Sequence, residues 1–556
     1  MKQFFLTVLG VFLGLILFVV VVPFVLITAA VSSASSTPVT ASNTVLELDL
    51  RDGLTDQQPT NPFAAFGGSG LSVMQVVDSL AQAGDDRHVK ALLIRLPEAG
   101  MTPAAADEVR QAVRRFRAAG KVVIAHSQGF QPVGTTISSY MVGASASELW
   151  MQNTASFQLT GISTDQLFLG RAFDKYGVNA QFEQRYEYKN AVNEYTQSDF
   201  TPAGPWSSAE ALQRKLIDKI GQVEEAEAEI KRRAGNGARL VELRDYASAR
   251  GERSGSGRNA IAIVGGEGAI LTGTGSGGGF GGGSSIRSDD LAGALYEAIE
   301  DKDVKAIVFR VSSPGGSPEA SEQILAAVRA ARAAGKPVVV SMGAYAASGG
   351  YWISSEADYI VAQPSTLTGS IGVYGGKFVL ANALGRFGVD IRELSVGGDY
   401  ADALSPSQPF TAAQRAAYSS TIDRTYEEFI TRVATGRKLT PARVREIARG
   451  RVWTGRQARE LGLVDELGGL HEAIAQARRL AEIPADESVR FKRYPTPESP
   501  WEALSKAFGV SSEAARVLVG IGGVMADPQA QVVLQRIESD RMRSAGASVL
   551  AEQPLP

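Results

Sequence analysis

The sequence predicts an α/β protein in which one parallel-sheet unit occurs twice, and two observations carry that prediction. Asp86 to Leu96 reads DRHVKALLIRL and Asp301 to Val311 reads DKDVKAIVFRV; each is followed by a helix-like stretch, the pentapeptide RAAGK and a valine-rich run. Such self-similarity marks an internal duplication. Within the second copy, short apolar strands alternate with stretches of helical spacing, which implies βαβ units and a mostly parallel sheet covered on both faces.

The elements follow in order. Phe4 to Ala30 is an almost unbroken apolar run with Lys2 before it and a Ser/Thr/Pro-rich segment after it. At about 1.5 Å per residue it can cross a hydrocarbon core of ~30 Å, and it exceeds the usual h-region of a cleavable signal. It reads as an uncleaved transmembrane helix over residues 1–32, the alternative being a long signal peptide cut near Ala30 or Ala34. The early lysine keeps the N-terminus in the cytoplasm and exports the body, so the expected location is the exported side of a bacterial inner membrane. After a linker, 33–43, the first repeat spans 44–257 and opens on the alternating strand TVLELDL. The break RGERSGSGR precedes the second repeat, 258–490.

In the second repeat Ala306–Val311 reads as a strand, SSPGGSPEA as a turn and Ala320–Ala334 as a helix; KPVVVSM is the next strand, GAYAASGGYWISS turns into a helix, and DYIVAQP is a third strand. Thr272 to Ser285 is glycine-rich enough to be either a spacer or a loop beside the substrate entrance. Thr411 to Arg449 is strongly helical, has no counterpart of equal length in the first repeat, and either covers a site or builds an oligomer contact. A tail, 491–556, holds the apolar stretch Val517–Val524 and an amphipathic stretch to Arg543.

Composition excludes several chemistries. The chain has 556 residues, 44% of them hydrophobic, and a formal net charge of −3, which allows sizeable cores and gives no basic excess for nucleic acid. It has no cysteine and only three histidines, His88, His126 and His471. Disulfides, thiol nucleophiles and thiolate metal sites are therefore out, no histidine-rich metal spacing is present, and no cofactor is implied.

The two copies divide the remaining chemistry. Ser348 in AASGGYW follows a valine-rich strand at the start of a helix, where unpaired N–H groups and the helix dipole favour an anion. If Tyr140 is matched to Tyr351, the first copy places Ile137 there. The amide of Gly349 and one from Ser313-Pro314-Gly315-Gly316-Ser317 would make a two-donor oxyanion hole; glycines let a backbone N–H reach substrate without a Cβ in the way. The bland reading is a pair of tight turns. Lys189 in YEYKNAV is a candidate base, for which the second copy offers Ala401 or Asp402. A lysine base needs a pKa lowered from about 10.4 towards 7 or 8 by an apolar setting; Tyr186, Tyr188, Ala191 and Val192 supply one in part, whereas most lysines are simply solvated. Ser370 in LTGSIGVYGG, opposite Ile162 in the first copy, could orient a neutral lysine amine or be an ordinary turn serine. His126 is the fallback base.

Together, AASGGYW around Ser348, RVSSPGGS before it, LTGSIGVYG after it, VWTGRQARELGLVDELGG at Val452–Gly469 and YKNAV in the first copy resemble signal peptide peptidase A in its long, duplicated, membrane-anchored form. The match runs from the anchor to about Arg490. The resemblance implies a ClpP/crotonase-like superhelix of ββα units in each repeat and a serine endopeptidase with a Ser-Lys dyad that degrades released signal peptides. Ser348 would be the nucleophile, Lys189 the general base and Ser370 the lysine-orienting hydroxyl, with Gly349 and the SPGG turn, Gly315 in preference to Gly316, as oxyanion donors. It also implies a homotetramer with its concave face towards the inner membrane and grooves for hydrophobic peptide fragments. Ser312 departs from the family, which has asparagine before SPGG. A crotonase-like acyl-CoA enzyme and a catalytically inactive membrane scaffold are the competing readings.

Overall fold

The structure, a computed structural model, describes residues 42–57, 70–130, 135–159, 170–185, 203–250, 257–275, 285–391, 398, 400–484 and 487–495. The run Phe4 to Ala30, Lys189, the central glycines of the Thr272–Ser285 loop and the tail beyond residue 495 lie outside these. Among the described residues no helix is long and apolar enough to cross a membrane.

The first half runs β1 (Thr44–Asp49), α1 (Val73–Asp85), β2 (Val89–Arg95), α2 (Pro103–Ala118), β3 (Val122–Ser127), α3 (Thr136–Gly143), β4 (Glu148–Met151), β5 (Ser156–Leu159), α4 (Gly170–Tyr176), β6 (Asn179–Arg185), β7 (Ala203–Ser207), α5 (Ser208–Gln213), β8 (Lys219–Ile220), α6 (Val223–Ala234), β9 (Arg239–Glu242) and α7 (Leu243–Arg250). The second runs β10 (Ala260–Glu267), β11 (Ala269–Leu271), β12 (Ser285–Arg287), α8 (Ser288–Glu300), β13 (Val304–Ser313), α9 (Pro318–Ala333), β14 (Val338–Ala347), α10 (Gly349–Ser354), β15 (Tyr359–Ala362), β16 (Leu367–Gly369) and β17 (Val373–Val379). It continues through α11 (Ala381–Gly385), α12 (Ala412–Arg437), α13 (Pro441–Ile447), β18 (Val452–Thr454), α14 (Gly455–Glu460), β19 (Glu466–Leu467), α15 (Leu470–Leu480) and β20 (Arg490–Tyr494).

Each half builds its own parallel sheet in the same order. The first is β8-β4-β3-β2-β1-β9 and the second β19-β15-β14-β13-β10-β20, with β16 attached along the last residues of β14 and β18 antiparallel to β16. The short pair β5 and β7, also antiparallel, is the first-half counterpart of β16 and β18. β20 runs across residue 490, where the second repeat was expected to end, and pairs with β10 from Arg490 to Tyr494. A short strand follows a long one where β11 follows β10; after β13 the corresponding contact is a single bridge between Gly316 and Ile270.

Repeated side-chain bonds show why the repeated sequence folds alike. In both RAAGK copies the glycine, Gly120 or Gly335, adopts a left-handed φ of 81° or 75°, the conformation that ends a helix and that glycine takes without Cβ strain. The following lysines, Lys121 and Lys336, then reach back to backbone carbonyls: Asp86 and Val89 at 2.8 and 2.6 Å, Ala298 and Asp301 at 3.0 and 2.6 Å. Tyr140 donates to the Leu216 carbonyl at 3.0 Å and Tyr351 to that of Leu463 at 2.8 Å. Those tyrosines are true counterparts, so Ile137 stands where Ser348 stands. The long helices α1 and α9 start on serine caps, Ser72 and Ser317, and α9 also carries Pro318 at its first position, each satisfying a donor the helix leaves free.

The halves share a core. Met74 on α1 packs with Ile261, Ile263, Ala306, Val308, Val339 and Val361 on one face of the second sheet, beside Leu470 and Ala473 of α15. Polar bonds flank this seam: Gln111 donates to Gln363 at 2.8 Å, Ser365 to Asp107 at 2.6 Å, and Arg115 pairs with Glu472 at 3.1 Å.

Candidate active site

Ser348 sits in the one-residue turn between β14 and α10, fully buried, with φ 54° and ψ −119°. A non-glycine residue held there stores about 1–3 kcal/mol of backbone strain, a cost met where the surrounding structure needs that geometry. Its N–H donates to the Gly369 carbonyl at 2.9 Å. Ala347 and Gly369 are registered partners on neighbouring parallel strands, so Ser348 and Ser370 are the next residues on strands that run about 5 Å apart. Ser370 is also buried and left-handed, at φ 50°, and its N–H is held by the Arg451 carbonyl at 2.6 Å.

The turn after β13 meets this one. A Cβ on Gly349 would stand 2.7 Å from the Ser321 hydroxyl, 3.0 Å from the Gly316 nitrogen and 3.2 Å from the Gly315 Cα. Only glycine lets these backbones come together. The Gly315 N–H donates to Ser313 Oγ at 3.1 Å, whereas the N–H groups of Gly316 and Gly349 have no acceptor among the described residues. Of the two glycines expected to offer a donor, Gly315 thus has its N–H on a side chain two residues back and Gly316 has not. Ile270 fixes the turn from the other side, donating to the Gly315 carbonyl and accepting from Ser317, both at 2.9 Å. Two free N–H groups beside a buried hydroxyl at a helix start can hold the oxyanion of an acyl-transfer intermediate.

The first half reaches this place through β6. Its partner is β17, antiparallel, with Arg185 opposite Val373. A Cβ on Gly372 would lie 2.8 Å from the Arg185 carbonyl oxygen, so β6 ends three positions beyond Ser370, aimed at the serine pair. Arg185 is bound to α12 through Asp423 at 2.5 Å and Ser419 Oγ at 2.6 Å, and Glu183 pairs with Arg415 at 2.6 Å. Tyr186, Tyr188, Lys189 and Ile162 lie outside the described residues. Asp402, offered by the second half at the lysine's place, accepts from Gln408 at 2.6 Å and Gln414 at 2.8 Å, a loop-fixing role. α12, part of the helical stretch without a counterpart of equal length, packs Phe429 against Trp352 of α10, ring centroids 4.7 Å apart; it covers the helix that follows Ser348.

His126 is no base for Ser348. It lies in β3 of the first sheet, opposite Arg95 and Trp150. One ring nitrogen faces the Gly221 carbonyl at 3.1 Å, and burial holds its pKa below the usual histidine value.

Comparison with known proteins places this geometry. The family model "Peptidase family S49" matches residues 115–204 and 330–484, which hold the Ser348 turn, Ser370 and Lys189. Protease 4 of Salmonella typhi is 32% identical over 515 residues, covering 82% of this chain and 81% of that one. The chain belongs to peptidase family S49. As an S49 member it is a serine-type peptidase, in the long form that resembles signal peptide peptidase A. A plant relative, the chloroplastic serine protease SPPA of Arabidopsis thaliana, is 26% identical over 84% of this chain and 73% of its own length. Among solved structures, the ClpP1 N165D mutant from Listeria monocytogenes aligns with 38% of this chain and 94% of its own, at 14% identity and a TM-score of 0.24.

Proposed function

We propose that this S49 peptidase is a membrane-anchored serine endopeptidase whose Ser-Lys dyad is split across the duplication and which degrades signal peptides after their release. Ser348 attacks the scissile carbonyl, Lys189 takes its proton, Ser370 orients the lysine amine, and the amides of Gly349 and Gly316 hold the tetrahedral oxyanion. The observation that carries the reading is the convergence at Ser348: a strained, buried serine at a helix start, beside two N–H groups, those of Gly316 and Gly349, without acceptors among the described residues.

The lysine assignment is supported by the course of β6. Lys189 follows Arg185 by four residues, a reach of at most about 14 Å, and Arg185 ends beside Gly372 and Val373. The first half then supplies the base and the second the nucleophile within one chain. Each half is taken as a ClpP/crotonase-like unit. The apolar run Phe4–Ala30 anchors the body on the exported side of a bacterial inner membrane, where hydrophobic peptide fragments accumulate, and the working assembly is a homotetramer.

The test is labelling of the full-length chain by a fluorophosphonate, followed by digestion of a synthetic signal peptide. Covalent label on Ser348, lost in Ser348→Ala together with peptide cleavage, is the expected result. Cleavage that persists in Ser348→Ala contradicts the proposal.

A further inference from the structure

Behind the oxyanion turn lies an ion cluster that the dyad chemistry does not use. Arg310 of β13, 1% exposed, donates through Nε to Asp56 Oδ2 at 2.9 Å and through Nη2 to the other oxygen of the same carboxylate. Its Nη1 reaches Glu108 at 2.6 Å and Ser341 Oγ at 2.9 Å. Asp56 and Glu108 both come from the first half. A buried ion set of this kind is weak evidence for stability, since apolar residues of similar volume often serve better.

Its place in the sheet suggests another role. β13 and β14 pair regularly from Ile307 with Val338 to Val311 with Met342; the next pair is Ser313 with Ala346. One residue of β13, Ser312, thus faces three of β14, a bulge over Gly343–Tyr345 that redirects the strand just before Ser348. A Cβ on Gly343 would stand 2.7 Å from Asp56 Oδ1 and 2.9 Å from Ser312 Oγ. The Asp56 carboxylate therefore bears on the bulge at Gly343, where the Ser312 hydroxyl also lies. In the first half the pairing of β2 with β3 ends at Arg95 with His126, before the place equivalent to the bulge, and Arg95, the counterpart of Arg310, pairs with Glu47 at 3.6 Å. In the half that carries the serine, the cluster lies directly against the bulge.

We propose that Asp56 is a positioning residue: pinned by Arg310, its carboxylate props the β14 bulge at Gly343 and so sets the approach of Ser348 to the Gly316 and Gly349 amides. The proposal rests on Ser348 being the nucleophile. The first half then shapes the site as well as donating its base.

Steady-state cleavage of a fluorogenic hydrophobic peptide by the full-length chain, per folded molecule, tests this in Asp56→Asn, Glu108→Gln, Gly343→Ala and Ser348→Ala. Asp56→Asn and Gly343→Ala should each lower kcat on the order of tenfold or more with KM within about twofold, as misplaced reacting groups do. Glu108→Gln shares Arg310 but not Gly343; it should lower thermal stability and keep kcat within about twofold, because truncating one partner of a buried pair is a stability effect. Should Asp56→Asn fail to fold, Gly343→Ala, which keeps every member of the cluster, decides. Unchanged kcat in Asp56→Asn and Gly343→Ala, or an equal loss in Glu108→Gln, would overturn the positioning role. Activity surviving in Ser348→Ala would instead remove the reading on which it rests.

Discussion

At Gly349 one methyl group is enough to separate the two turns. Its Cβ would enter the space between Ser321 Oγ and the Gly316 nitrogen, so Gly349→Ala should lower kcat on the order of 100-fold, the usual cost of a lost oxyanion donor, with labelling slowed in proportion. A second residue reports on pH. Glu267 accepts from the Asp56 and Gln57 amides at 3.2 and 3.0 Å; burial, with Asp56 adding repulsion and Arg310 opposing it, pushes its pKa up to about 7. Because the folded value lies above the unfolded one, this group's contribution is fully present below about pH 4.5 and is lost as pH rises through 7. The loss is about 3 kcal/mol. Thermal unfolding at pH 5 and pH 8 should show a smaller stability difference in Glu267→Gln than in the wild type; an equal difference would assign the slope elsewhere. The serine pair was legible in the sequence because the two copies diverge there. The contact between the Gly315 N–H and the Ser313 hydroxyl was not, since it turns on where that hydroxyl points.

Among the elements, the β6 and β17 ribbon is where the halves exchange chain. β6 comes from the first half, β17 from the second, and Arg185 bolts the ribbon to α12. Arg185→Ala should lower kcat about tenfold by loosening the strand that leads to Lys189, while the thermal midpoint hardly moves, because exposed ion pairs are worth about 0–1 kcal/mol. A large midpoint shift with kcat retained would make the clamp merely structural. The alternation of strands and helices was readable from apolar periodicity, as were the RAAGK helix ends. The ribbon was not: NAQFEQR and VYGGKFV carry no mark of pairing with each other across a span of nearly two hundred residues. β20 was missed for a similar reason, since its charged residues, Arg490, Lys492 and Arg493, lie on an edge strand where Asp301 and Asp303 receive Arg490 and Lys492.

For the whole molecule, duplication explains both what is repeated and what is divided. Two sheets of the same order keep the same lysine and tyrosine bonds, which are structural, while in the proposed function the chemistry is kept once, with the serines in the second half and the lysine in the first. The seam between halves, with Met74 on the second sheet and Asp56 and Glu108 on Arg310, is what makes such division workable within one chain. The central claim is that both halves are needed for one turnover. Cleavage of a fluorogenic hydrophobic peptide by the full-length chain, comparing wild type, Ser348→Ala and Lys189→Ala, measures it most directly. Loss of activity in both variants, each folded with the wild-type thermal midpoint, is the predicted result; full activity in Lys189→Ala would contradict the split dyad and leave Ser348 with a different base.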